Sequence, residues 1–186
     1  GLGETGTQIA EEFMTTRQSF VSIEIDPARC ARRRESFPEM VILQGDATWD
    51  DTLRQAGLER SRGLAAALGT DKDNLFLVVT ARSIRPDIRI VSKSEEPSSG
   101  KKLIAAGAAS VVSPPRHGGM RMASEMIRPH VVTFLDRMLR EEGGWRLAET
   151  EVEEGSEIVG RTIGEARITE RTGLLHVAIP KGHGAY

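Results

Sequence analysis

"GLGETG" (Gly1–Gly6) runs into "TQIAEEFMTT" (7–16) and then "SFVSIEID" (19–26), and this stretch decides the fold. The first six residues match G-x-G-x-x-G, a weak signal alone, since the chain contains 19 glycines. Its context strengthens it. Ile9, Ala10, Phe13 and Met14 recur at helical spacing, and Phe20, Val21, Ile23 and Ile25 make a strand. Gly1 permits a tight turn, Gly3 lets the backbone approach a pyrophosphate, and Gly6 lets the helix pack close to a sheet. The N–H groups of Glu4 and Thr5 would face the phosphates at the helix start. An acid is then expected at the end of the next strand to bind ribose hydroxyls. Glu24 stands there, 18 residues after Gly6, with Ile25 beside it. A strand is expected before such a turn, so the chain reads as truncated at its start, and its tail reads as cut short too.

The alternation continues downstream. Asp26 and Pro27 are a cap and a first-turn proline for "PARCARRRESF" (27–37), followed by a strand in "MVILQGDAT" (40–48) and a short helix in "WDDTLRQAGL" (49–58). "GLAAALG" (63–69) is a strand, and "TDKDNLFLVVTARSI" (70–84) is a helix capped by Thr70 or Asp71. "DIRIVSKS" (87–94), "SSGKKLIAAGA" (98–108) and "SVVSP" (110–114) complete the series. Such alternation calls for a doubly wound parallel sheet, an α/β Rossmann-like fold, over residues 1–116. Ligands of this fold lie beyond the carboxyl ends of the strands. Asp46, Ala47 and Thr48 after one strand, and Gly69, Thr70, Asp71 and Asn74 after another, are therefore further contact candidates. Thr70 and Asp71 equally suit a capping role.

From His117 the character changes. Residues 117–141 hold two apolar-faced helices separated by Pro129, which forbids a straight continuation. After "EEGGW" (141–145), residues 142–186 read as a partial small α+β subdomain with strand, helix and strand.

Composition narrows the function classes. With 186 residues, 39% hydrophobic, 28% charged and 4% aromatic, the chain suits a soluble globular protein with an aliphatic core. A net charge of −2 argues against a nucleic-acid binder. A single cysteine, Cys30, excludes an internal disulfide and reads as a small helix residue. The cluster Arg29–Arg34 reads as a solvated helix face paired to Glu35 and Glu39. No metal site and no catalytic constellation is legible, and His117, His130, His176 and His183 stand apart. An NAD-dependent dehydrogenase fragment would share the glycine turn and the acid, but hydride chemistry needs a substrate domain with a placed acid–base group. The reading is of a binding protein rather than an enzyme.

"GLGETG", "FVSIEIDP", "GDAT", "AALGTDKDNLFLVVTAR", "RIVSKS", "LIAAGAASVVSP" and "GGMRMASEMIRP" together resemble the RCK (regulator of potassium conductance) domain of prokaryotic potassium channels and uptake systems. The tail resembles the start of the C-terminal subdomain that accompanies such domains. The resemblance implies a nucleotide-sensing regulator at the cytoplasmic face of the membrane, coupled to a potassium-channel pore in the same full-length chain. An RCK subunit of a separate uptake or efflux transporter is the alternative. It further implies a homodimer through the helices flanking Pro129, with Met126, Val131, Phe134, Leu135 and Met138 at the interface, and a larger ring. Some triphosphate-binding relatives carry Arg where this chain has Glu4, and a carboxylate there repels a terminal phosphate. NAD(H) or ADP is thus expected ahead of ATP, and Glu24 disfavours a 2′-phosphate. Some relatives bind calcium with carboxylates near the fifth strand, which leaves Glu95 and Glu96 as Ca2+ ligand candidates.

Overall fold

The structure, a computed structural model, describes residues 1–139, 152, 153 and 155–173. The chain divides into two compact units, residues 1–129 and 130–186.

In the first unit helices and strands alternate: α1 (Glu4–Thr15), β1 (Ser22–Glu24), α2 (Pro27–Ser36), β2 (Ile42–Gln44), α3 (Asp50–Gln55), β3 (Gly63–Ala66), α4 (Asp71–Ile84), β4 (Arg89–Lys93), α5 (Pro97–Ala105), β5 (Ser110–Val112) and α6 (Pro114–Ile127). The starts follow the expected chemistry. Asp26 caps α2 by accepting the Ala28 N–H at 2.9 Å, and Pro27 occupies the first turn. Thr70 caps α4 by accepting the Asp73 N–H at 3.1 Å. α6 begins earlier than its sequence suggests, because Pro114 is a compatible first-turn residue and Ser113 stands at the cap position.

Every paired strand is parallel, as the alternation predicts. The sheet, however, is parted into two. β1 pairs with β2 in the register Ser22 to Ile42, and β3–β4–β5 form a second group with Leu64 opposite Ile90 and Val91 opposite Ser110. No described strand lies between β1 and β3. A cavity of about 680 Å³ separates them, lined by Gly1, Gly6, Phe20, Ile23, Leu64 and Val91 among others. Leu2 and Gly3 lead directly into α1.

Helices cover the sheets with two apolar clusters. Leu53, Leu58, Leu77, Val78, Ala81, Ile88, Ile90 and Leu103 form the larger one, around α4 and β4. Leu2, Ala10, Cys30, Met40 and Ile42 form the smaller, with the rings of Phe13 and Phe20 nearby, tilted by 59° at 5.6 Å between centroids. On α4, Asn74, Leu77, Val78 and Ala81 repeat at helical spacing and are buried. Each fully buried Leu or Ile contributes roughly 1.5–3 kcal/mol. Cys30 is wholly buried, and that burial raises its thiol pKa.

The second unit contains most of α7 (Pro129–Leu139), with α8 (Ile163–Ala166) and α9 (Ile168–Thr172). Thr162 and Glu165 form a reciprocal capping box on α8. The strands expected on either side of these short helices lie outside the described residues.

Candidate functional site

Because the strands are parallel, their carboxyl ends meet along one edge, and the glycine turn joins them there. Glycine 6 is dictated by contact: a Cβ would stand 1.8 Å from the Gly1 carbonyl oxygen. Gly1 lies against the segment that follows β3, where a Cβ would meet the Ala67 carbonyl at 3.3 Å. Gly3 differs, since a Cβ there would meet nothing within 4 Å. It is the residue before α1, in extended conformation, and no side chain caps the helix. The first N–H groups of an α-helix have no partner within the helix itself. A helix start of this kind, with its positive dipole end and uncapped first turn, is chemically suited to an anion. Glu4 is exposed at its mouth and Thr5 half-buried.

Glu24 ends β1 and is turned inward, only 2% exposed. Its Oε2 accepts the Leu2 N–H at 2.6 Å and its Oε1 the Asp26 N–H at 2.9 Å. Arg29, on the first turn of α2, places Nη1 at 3.3 Å from Oε1 and 3.2 Å from Oε2. Burial pushes the carboxyl pKa up, but the N–H groups of Asp26 and Leu2 and the guanidinium outweigh it and hold Glu24 below the usual carboxylate range. The acid thus ties the glycine turn to the β1–α2 corner. Ile25 beside it is exposed.

The other candidates fall into two groups. Gly45 donates its N–H to the Glu24 carbonyl at 2.9 Å, which brings the β2 turn to the same edge. In that turn Asp46 Oδ1 accepts the Thr48 N–H at 2.9 Å and the Thr48 hydroxyl at 2.7 Å, an Asx-type turn, while Ala47 packs into the core. A Cβ on Gly69 would meet nothing within 4 Å. Thr70, Asp71 and Asn74 instead engage the protein. Asn74 is fully buried; it accepts the Leu68 N–H at 2.8 Å and points its amide at the carbonyls of Leu68 and Lys93, both at 3.4 Å. Asp71 accepts the N–H groups of Glu95 at 2.8 Å and Glu96 at 3.0 Å, with the Ser94 hydroxyl at 3.3 Å. Desolvation pushes the Asp71 pKa up, and those donors together with Ser99 hold it lower than normal. These two side chains position the loops after β3 and β4.

Several residues at this edge escape sequence reading. Leu2 offers a backbone donor, which no side-chain pattern reveals. Arg29 stands three residues after the Asp26 cap, a spacing that places it beside the end of β1. The basic cluster is accordingly not a face paired to Glu35 and Glu39: Arg29 pairs with Glu24, and Arg34 donates to the Ile42 carbonyl at 2.9 Å. Lys93 pairs with Glu95 at 2.8 Å. Among the described residues no group of three His, Cys, Asp or Glu is arranged to hold a metal ion.

Of the expected interface residues, Met126 is 86% and Phe134 58% exposed, and Val131 and Leu135 are exposed as well. The side chain of Met138 lies outside the described residues. No described helix is long and apolar enough to cross a membrane.

A parallel α/β fold with a glycine turn at a helix N-terminus and an acid ending the next strand defines a Rossmann-type binding domain. Residues 1–114 match the TrkA-N domain family model, and the chain belongs to that family. It is 35% identical over 182 residues to "Potassium channel protein 1" of Methanocaldococcus jannaschii, covering 98% of this chain and 54% of that protein. The chain thus spans about half the length of that curated relative. Among solved structures, the GsuK RCK domain is 27% identical with a TM-score of 0.57, covering 93% of this chain and 35% of that one. The GsuK channel bound to NAD is 26% identical with a TM-score of 0.59, covering 93% of this chain and 29% of that one. The RCK resemblance read from the sequence is borne out.

Proposed function

We propose that this chain is the nucleotide-sensing regulatory domain of a potassium channel, seated at the cytoplasmic face of the membrane. An adenine nucleotide, NAD(H) or ADP, lies across the carboxyl edge. The turn of Gly1, Gly3 and Gly6 and the start of α1 take its phosphates, Glu24 takes its ribose, and Asp46 sits near the adenosine. The observation that carries this reading is the open space at Gly3, the uncapped start of α1, directly after Leu2, whose N–H meets Glu24. The NAD in a related channel's structure supports it. Glu4 at the mouth disfavours a third phosphate.

Homodimers form through the exposed apolar residues of α6 and α7, Met126, Val131, Phe134 and Leu135. Exposed Phe76 and Val79 on α4 would serve a larger ring. Two facing edges, β1 and β3, and the apolar cavity between them suit one further parallel strand, which would join the two sheets. Gating then requires only that the nucleotide bind the open and closed arrangements of the paired domains unequally.

Calorimetric titration of the purified protein with NAD, NADH, ADP and ATP tests the reading. Binding of NAD or ADP, tighter than ATP and weakened by Glu24→Gln, is expected. No binding by any of the four, or tightest binding by ATP, would overturn it.

A further inference from the structure

Glu24 is a carboxylate with its acceptor positions already filled. An ionised carboxylate offers about four acceptor directions. Here Oε1 takes the Asp26 N–H and Arg29 Nη1, and Oε2 takes the Leu2 N–H and the same Nη1. A ribose hydroxyl that donates to Glu24 must displace one of them. Two are backbone groups, held by the glycine turn and by the corner that opens α2. The third is a side chain, 40% exposed, that stands on the solvent side of an otherwise buried acid. A second seat lies within its reach, because Arg29 Nη2 is already 3.9 Å from Asp26 Oδ2, and Asp26 is itself partly exposed.

We propose that Arg29 gates the ribose subsite. Its guanidinium occupies the hydrogen-bonding positions on Glu24 that a vicinal diol would use, and it moves toward Asp26 when a nucleotide with free 2′ and 3′ hydroxyls enters. This rests on the nucleotide reading above and adds a determinant to it. Arg29 lowers affinity for every ligand that needs Glu24, and it does so through the diol rather than through the phosphates. A ligand lacking the diol leaves the pair closed and is bound by the phosphate cradle alone. The occupied pair also keeps Glu24 neutralised while the site is empty, which holds the Leu2 contact and the turn in place for the phosphates.

The experiment is calorimetry on the full-length protein with two probes, ADP and 2′,3′-dideoxy-ADP, for the wild type, Arg29→Met and Arg29→Lys. Methionine keeps an unbranched stem and removes every donor. Lysine keeps a positive charge near Glu24, and so guards against a folding defect, but lacks the second nitrogen that Arg29 holds 3.9 Å from Asp26 Oδ2. Arg29→Met is expected to tighten ADP about tenfold, in line with one partly exposed charge-assisted hydrogen bond released from competition. Its effect on the dideoxy probe should stay under about twofold. Arg29→Lys should lie between wild type and Arg29→Met for ADP. Weaker ADP binding in both variants, or equal changes for both probes, would overturn the gate and make Arg29 a ligand contact or a structural support. If neither probe binds wild type or variants, the nucleotide reading itself fails, and the gate fails with it.

Discussion

Removing the amide of Asn74 isolates what the buried loop staple is worth. Asn74→Ala deletes an acceptor that the Leu68 N–H reaches at 2.8 Å and a donor shared by two carbonyls at 3.4 Å. The short bond dominates, with a net value of about 1 kcal/mol, and the orphaned N–H adds about 1–3 kcal/mol if water cannot reach it. Leu68 is only partly buried, so water reaches that N–H in part and the lower end applies. A loss of about 2 kcal/mol follows, equivalent to roughly 4–8 °C in Tm for a chain of this size. Asn74→Asp sharpens the test. It keeps the acceptor for Leu68 but sets a second oxygen against the Leu68 and Lys93 carbonyls, which favours the protonated carboxyl and raises its folded pKa. Its penalty relative to wild type should therefore be smallest below about pH 4 and grow as pH rises through the raised folded value. Urea unfolding followed by circular dichroism between pH 4 and 7 reads both effects. An Asn74→Ala protein within about 0.5 kcal/mol of wild type, the range of an indifferent surface change, would refute the staple. A pH-independent Asn74→Asp penalty would refute the electrostatic part.

The glycine turn separates packing from binding. Gly6→Ala drives a methyl into the Gly1 carbonyl and should cost about 3 kcal/mol or more together with ligand binding. Gly3→Ala has room, so stability should change by under about 1 kcal/mol while nucleotide affinity falls as the methyl fills the cradle; equal losses in thermal stability for the two variants would contradict this division. Glu24 and Asp71 are both held below their ordinary values of 4.5 and 3.8. Their stabilisation is complete at neutral pH and is lost as pH falls past those values and through the lower folded ones. Asp71→Asn should flatten the acid limb of the stability–pH curve, and parallel curves for variant and wild type would count against the Glu95–Glu96 clamp.

The class of fold and the residues gathered at the candidate edge were legible because they rest on local chemistry. Helical and strand periodicities differ, Asp26-Pro27 and Thr70 announce helix starts, and glycine is required where Gly6 meets Gly1. The order of these signals alone demanded parallel strands with a shared carboxyl edge. The acid at the end of β1 could be placed by counting, since strand length and turn length fix its distance from the glycines.

What that acid touches could not be counted. The Leu2 N–H is a backbone group of a buried residue, and Arg29 is one of several arginines on α2. Only packing turns this one toward Glu24 and leaves Arg34 on the Ile42 carbonyl. The same holds for Asp71 and Asn74, which as types and positions suit ligand contact. They spend their hydrogen bonds on neighbouring loops, Asn74 on Leu68 six residues back and on Lys93, Asp71 on Glu95 and Glu96, 19 to 25 residues ahead in sequence for the last three. Sequence determines which groups can bond and where the chain must turn. Tertiary structure decides which of the competing partners each buried group meets, because burial leaves room for one set and makes an unpaired polar group costly.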